Sequence, residues 1–174
     1  RDDVESRGLG DVYKRQATVN APVEKVFAAL SDRAYWEYDA ANLSDEPGQV
    51  AEFSADGGVD VTLYEVLPTD ALPEAVRSMV SQNLKLKRVI HFGELTDDVS
   101  NGDMSAEIKG APVKFTAELT LVGENGATTL EAESDVDVKI PMIGAVIEPK
   151  VADAVKSILI NEAALIEKWI AEQA

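Results

Sequence analysis

The sequence contains no cysteine. Disulfides, thiolate metal centres and cysteine nucleophiles are thereby excluded. It contains one histidine, His91, so a single chain cannot offer two imidazoles to a metal. Basic residues are scarce: 16 Lys+Arg stand against 32 Asp+Glu, a net charge of −16. A surface this negative repels phosphate backbones and anionic lipid, so neither nucleic acid nor a membrane surface is an expected partner. No apolar run approaches the ~20 residues of a transmembrane helix, and stable membrane insertion is not expected. No G-x-G-x-x-G or P-loop occurs; "DGG" and "GENG" are turn signals. No cofactor and no metal site is expected.

What is present begins with an oddity. Residues 6–16, "SRGLGDVYKRQ", show no steady period of 2 or 3.6. They resemble the translation of a transposase adaptor used to build sequencing libraries. Residues 1–16 are therefore expected to be a non-native or disordered N-terminal segment, outside fold reasoning. Order is expected from about Asp11, with Val12 to Gln16 extending a first strand, because a backbone ladder accepts any residue but proline. The set-aside segment carries four residues of each sign, so residues 17–174 keep the whole net charge. They suit one domain with one core. Acidic surfaces keep proteins dispersed, and a cytoplasmic monomer is expected.

After the end of a strand at 17–20, "APVEKVFAAL" opens a helix. Val23, Val26, Phe27 and Leu30 fall at i, i+3, i+4 and i+7, and Pro22 suits a first helical position. "DRAYWEYDAANL" predicts a second short helix. "QVAEFSA" and "GVDVTLYEVLP" are strands joined by "DGG". "TDALPEAVRSMVSQN" predicts a helix over 69–83. Four further strands follow: "LKLKRVIHFGEL", "DMSAEIKG", "PVKFTAELTLVG" and "TTLEAESDVDVKIP". The last two alternate cleanly, with one apolar and one wet face, the pattern of an antiparallel sheet. A long amphipathic helix runs from about Ile143 or Pro149 to Glu172.

A sheet with one apolar face must be covered, and only the last helix is long enough to cross six or seven strands. One helix about 10 Å wide cannot fill a curved sheet's concave face, so a cavity is expected beneath it. The fold class is α+β: a curved antiparallel sheet around a long C-terminal helix, with a helix pair after strand 1. This order resembles the START-like or SRPBCC superfamily, the helix-grip fold that includes the birch pollen allergen. "TVNAPVEKVFAALSD" is similar to its usual opening. "AYW" at 34–36, "LPEAVRSMV" at 72–80, "IPMIGAVIE" at 140–148 and "ILINEAALIEKWI" at 158–170 resemble more closely one bacterial family of unknown function within it. The resemblance implies the fold and a cavity for a hydrophobic ligand. It implies no catalytic residues.

Parity and helical phase nominate the cavity's walls. On the strands these are Arg88, Ile90, Phe92, Phe115, Leu119 and Val136; on the last helix, Val155, Ile158, Glu162 and Trp169. Tyr35, Trp36 and Tyr38 are placed at its mouth, where plain packing is the alternative. Arg88 shares the inward parity of Leu86, Ile90 and Phe92, and Glu162 lies roughly 20° from both Val151 and Trp169 on the apolar stripe. An unpaired carboxylate there is costly, so Arg88 and Glu162 are expected to approach each other, with a rim hydroxyl or water at Glu162 as the alternative. His91 points outward, to the convex face. The acidic row Glu131, Glu133, Asp135 and Asp137 is a solvated outer face, because same-face neighbours on one strand stand ~6.6 Å apart, too far for a compact calcium cage.

The function this implies is non-catalytic binding of a small hydrophobic or amphipathic molecule: a lipid, an isoprenoid or a polyketide-like compound. Two alternatives stay open. One is an enzyme of the cyclase or hydrolase type in the same cavity, short of inward titratable groups. The other is an interaction module using the acidic outer face.

Overall fold

The computed structural model describes residues 12–42, 47–67, 74, 84–109, 113–138 and 144–173. The helix expected over 69–83 lies outside the described residues apart from Glu74, which is helical. Seven strands form one antiparallel sheet: β1 (Val12–Val19), β2 (Gln49–Ser54), β3 (Val59–Leu67), β4 (Leu84–Phe92), β5 (Val99–Lys109), β6 (Val113–Glu124) and β7 (Ala127–Val138). Their order in space is β1-β7-β6-β5-β4-β3-β2, so the first strand joins the sheet beside the last. The helices are α1 (Val23–Leu30), α2 (Arg33–Asn42) and α3 (Gly144–Gln173).

The sheet obeys its sequence alternation. Val59, Val61, Leu63 and Glu65 of β3 are buried, as are Leu86, Arg88, Ile90 and Phe92 of β4. Phe115, Ala117, Leu119 and Leu121 of β6 face the same core as Leu130, Ala132, Ser134 and Val136 of β7. The β6–β7 hairpin turns at Asn125 and Gly126, both with positive φ (57° and 79°), the twist a two-residue hairpin needs. β5 starts at Val99, four residues before the expected strand.

α1 buries Val23, Val26, Ala29 and Leu30, while Phe27 is only partly covered. Pro22 sits one position earlier than expected, as the cap residue, where its carbonyl receives the Lys25 and Val26 N–H groups. Any side chain at Gly123 would run into Val23, so the glycine lets α1 lie close on β6. α3 passes continuously through Pro149 and rests on β1, β7 and the helix pair. Its far end is tied down by Glu167, whose Oε1 accepts the Asn20 backbone N–H at 2.9 Å.

β1 begins inside the segment set aside above. Val12 to Gln16 pair in register with Asp135 to Glu131, and the Gln16 amide donates to Glu131 at 2.8 Å. A ladder needs only backbone groups, which explains why this stretch serves as a strand edge.

The outer face carries a feature that reading each strand alone does not reveal. Register places Lys14, Glu133, Glu118, Asp103, His91 and Asp60 in one row across six strands. Three of these are carboxylates directly abreast, an arrangement that costs stability. His91 is on this convex side as expected, with Nδ1 2.8 Å from Asp60 Oδ1. No group of three or more His, Cys, Asp or Glu among the described residues is arranged to hold a metal ion.

Candidate functional site

The site is built where α2, β3, β4 and α3 meet. Arg88 is fully inside the protein, 2% exposed. Its Nε donates to Glu65 Oε1 at 2.8 Å, and its Nη2 donates to Glu65 Oε2 and to Asp39 Oδ2, both at 3.1 Å. Nη1 stands 2.9 Å from Glu162 Oε2, yet its N–H makes no aligned hydrogen bond. One guanidinium is thus surrounded by three carboxylates from three different elements. Glu65 reaches Arg88 because Leu63 is the direct cross-strand partner of Arg88, which puts Glu65 on the adjacent diagonal of the same face. Asp39 arrives from the buried side of α2, which also presents Tyr35, Trp36 and Ala40.

Aromatic rings seal the cluster. Tyr35 is fully buried and its hydroxyl donates to Asp39 Oδ1 across 3.5 Å. Its ring meets Trp36 edge-on at 5.1 Å and Trp169 at 6.0 Å. Trp36 Nε1 donates to the Leu30 carbonyl at 2.8 Å.

Charge states follow from this crowding. Burial first, then the charge of Glu162, hold the Asp39 carboxyl well above the usual carboxylate range. Burial, then Asp39 and Glu162, push the Tyr35 phenol up as well. Burial alone would lower the Arg88 guanidinium, but the combined pull of Glu162, Glu65 and Asp39 outweighs it and raises it above its ordinary value. The crowding therefore favours a proton on Asp39 relative to an ordinary aspartate, which would relieve the excess of negative charge.

This proton has a pH signature. The folded Asp39 binds it more tightly than an unfolded aspartate, whose ordinary value is 3.8. Between that value and the raised folded one the native state holds more protons, so stability falls as pH rises through this window. Asparagine mimics the protonated acid and does not titrate. Asp39→Asn is expected to flatten the fall, so that wild type loses more stability than the variant between about pH 5 and about pH 8. Urea unfolding at both pH values measures it. Parallel slopes for the two proteins would mean that Asp39 is ionised in the fold.

Next to the cluster, between α3 and the sheet, lies a hollow of about 50 Å³. Its walls include Ile90, Phe92, Phe115, Leu119, Ala132 and Ile158, with Tyr35 and Trp36 from α2. Glu162 is the one member of the carboxylate trio that lines it, and its side chain is 14% exposed. Arg15 and Lys156 also border it, and Lys156 is exposed to solvent.

Of the residues nominated from sequence, Trp36, Ile90, Phe92, Phe115, Leu119, Ile158 and Glu162 line this hollow. Arg88 stands behind Glu162 and outside the lining, tied to Glu65 and Asp39. Tyr38 and Trp169 pack on each other at 5.4 Å, away from the hollow, because they meet where α2 crosses the far end of α3. Val136 is solid core beside its partner Phe115. The Val155 side chain lies outside the described residues. Tyr35, grouped with Trp36 and Tyr38 at the mouth, also lines the hollow, whereas sequence reasoning missed Asp39 and Glu65. Glu65 was signalled by its parity with Val61 and Leu63, and Asp39 by its one-turn spacing from Tyr35.

Against known proteins, residues 14–170 match a family described as proteins of unknown function, DUF2505. The chain belongs to this family. Uncharacterized proteins of Mycobacterium tuberculosis and Mycobacterium bovis are similar to it at 23% identity, over 91% of this chain and 95% of theirs. Among solved structures, a Thermus thermophilus protein, TTHA0849, superposes with a TM-score of 0.60 at 11% identity, covering 94% of this chain and 99% of its own. Ara h 8.0201 gives 0.57 at 13% identity, covering 92% and 97%. A START superfamily protein from Mycobacterium smegmatis gives 0.52 at 11% identity, covering 94% and 99%. The DUF2505 chain thus has the helix-grip fold of the START-like superfamily. No helix among its described residues is long and apolar enough to cross a membrane.

Proposed function

We propose that the protein binds one small apolar or amphipathic molecule in the hollow between α3 and the sheet. The observation that carries this is the hollow itself, which the described residues wall almost wholly with apolar groups. A void beside a close-packed core forgoes dispersion contacts, and a ligand restores them. The superfamily's fold, seen also in Ara h 8.0201 and the mycobacterial START protein, supports the same reading.

The volume limits the ligand. About 50 Å³ is several times what one water molecule needs, ~10–15 Å³, yet small for a long lipid. It is also about a third of the ~150 Å³ void that holds one benzene ring, so an apolar ligand enters only as α3 and its side chains give way, and a compact molecule needs less of that movement than a diacyl lipid. Native mass spectrometry of protein purified from cells tests the reading. The expected result is an added mass that organic extraction removes and identifies as an apolar small molecule. Protein that carries no such mass and takes none up from a panel of short-chain and ring compounds would refute it.

A second reading, catalysis, draws on one observation: Tyr35 and Glu162 both border the hollow beside Asp39, whose carboxyl is held well above the usual carboxylate range by burial. Acid–base chemistry needs such positioned groups. The same spectrometry separates the two readings, since a binder returns its ligand unchanged and a catalyst returns one of altered mass.

A further inference from the structure

Two features of the convex face are not used by ligand binding. Val89 and Tyr64 stand on it 40% and 42% exposed, two of the three large hydrophobic side chains left so open among the described residues. The charges around them are sorted by side. Val89, Ser105 and Thr116 lie abreast on β4, β5 and β6, an uncharged strip across the middle of the face. On one side of it the same strands present Lys85, Lys87, Lys109 and Lys114, with Glu107 the one acid among them. On the other side they present His91, Asp103 and Glu118, and β7 adds Glu133. Lys87, Glu107 and Lys114 alternate in sign, as cross-strand neighbours do in a sheet that satisfies itself. Lys85 and Lys109 break that rule, and so do Asp103, Glu118 and Glu133: like charges stand directly abreast on both sides of the strip. Lys14 reaches Glu133 at 3.6 Å, but both are exposed and such a contact contributes little.

We propose that the convex face is the contact between two copies of this chain, related by a two-fold axis running along the Val89–Ser105–Thr116 strip. A half-turn about that line exchanges the two sides of the face. The lysines of each copy then lie over the carboxylates of the other, twice, and Val89 meets its own mate at the centre. A two-fold contact requires a self-complementary patch, and this face bears both halves of the match. A foreign basic protein fits less well: it would cover Asp103 and Glu118 and be repelled by the lysines across the strip. The net charge of −16 on each copy opposes association at long range, whereas the sorted pattern acts at contact. The two effects are screened differently by salt, and this gives the contact its signature.

Sedimentation velocity on the full chain, at protein concentrations up to about 1 mM, tests it. The screening length is about 30 Å at 0.01 M salt, about 8 Å at 0.15 M and about 3 Å at 1 M. At the lowest salt the whole-molecule repulsion keeps copies apart, and at the highest the facing pairs are screened. A dimer is therefore expected to be most populated at the middle concentration. Lys85→Glu with Lys109→Glu makes both sides acidic; Glu118→Lys with Glu133→Lys makes both basic. All four positions are exposed, so the fold should hold, which circular dichroism checks. Each double variant alone is expected to dimerise at least about tenfold more weakly than wild type, and an equimolar mixture of the two to form a mixed dimer. Ile160→Asp, at the exposed hydrophobic residue on α3, is expected to dimerise as wild type does. Wild type that stays monomeric at all three salt concentrations overturns the inference. So does a dimer that survives both double variants, a mixture that fails to associate, or a dimer lost in Ile160→Asp. None of these results bears on the hollow, whose ligand is tested separately.

Discussion

Arg88→Met is expected to cost about 3–5 kcal/mol of folding stability, the range for removing one partner of a buried ion pair. Global stability is commonly about 5–15 kcal/mol, so the variant would sit near the edge of folding at neutral pH. The reason is geometric. Asp39, Glu65 and Glu162 converge on one guanidinium, and methionine fills its space without its charge. The stranded carboxyls would then take up protons more readily than in wild type, so acid should favour the variant relative to the parent. Urea unfolding followed by circular dichroism, at neutral and mildly acidic pH, measures both effects. A loss below about 1 kcal/mol, the value of an exposed pair, would show that the cluster contributes little to holding α3.

Ala132→Leu is expected to abolish ligand binding while leaving the fold in place. Ala132 sits on β7, is 4% exposed and faces the hollow, with Leu119 as its cross-strand neighbour. Three added carbons enter a void of about 50 Å³ rather than a filled core. Overpacking a filled core costs about 1–3 kcal/mol, whereas filling a void restores contacts, so the midpoint of thermal unfolding should hold or rise. Affinity for any molecule shown to occupy wild type should drop more than tenfold, read by calorimetry. A variant that binds as tightly as wild type would place the ligand elsewhere on the protein.

Much of this architecture was legible because it rests on periodicity. The alternation in β6 and β7 and the stripe of α3 gave the sheet, its covering helix and the space between them. Arg88 and Glu162 stood out since each breaks an apolar pattern at its centre. Glu65 broke the β3 pattern in the same way, but near a strand end a charge reads as a wet rim, and parity assigns a face without a depth. Asp39 lies on a short helix whose apolar face is poorly marked, so only its tertiary neighbours distinguish it from a surface acid. The row of charges across the outer face depends on strand register, which no single segment encodes. Tyr38 was placed at the cavity by its aromatic character and Trp169 by its helical phase, while their position along α2 and α3 put them against each other.

The meeting of β1 with β7 and the position of α3 carry a consequence for synthesis. A ribosome delivers Arg88 well before Glu162, and the first strand before the neighbour it pairs with. Until the thirty residues of α3 emerge, Phe92, Phe115 and Leu119 face water on an uncovered sheet. Pairings between distant stretches of chain form slowly. The nascent sheet therefore stays a sticky half-built shell until α3 has been made and closes over it.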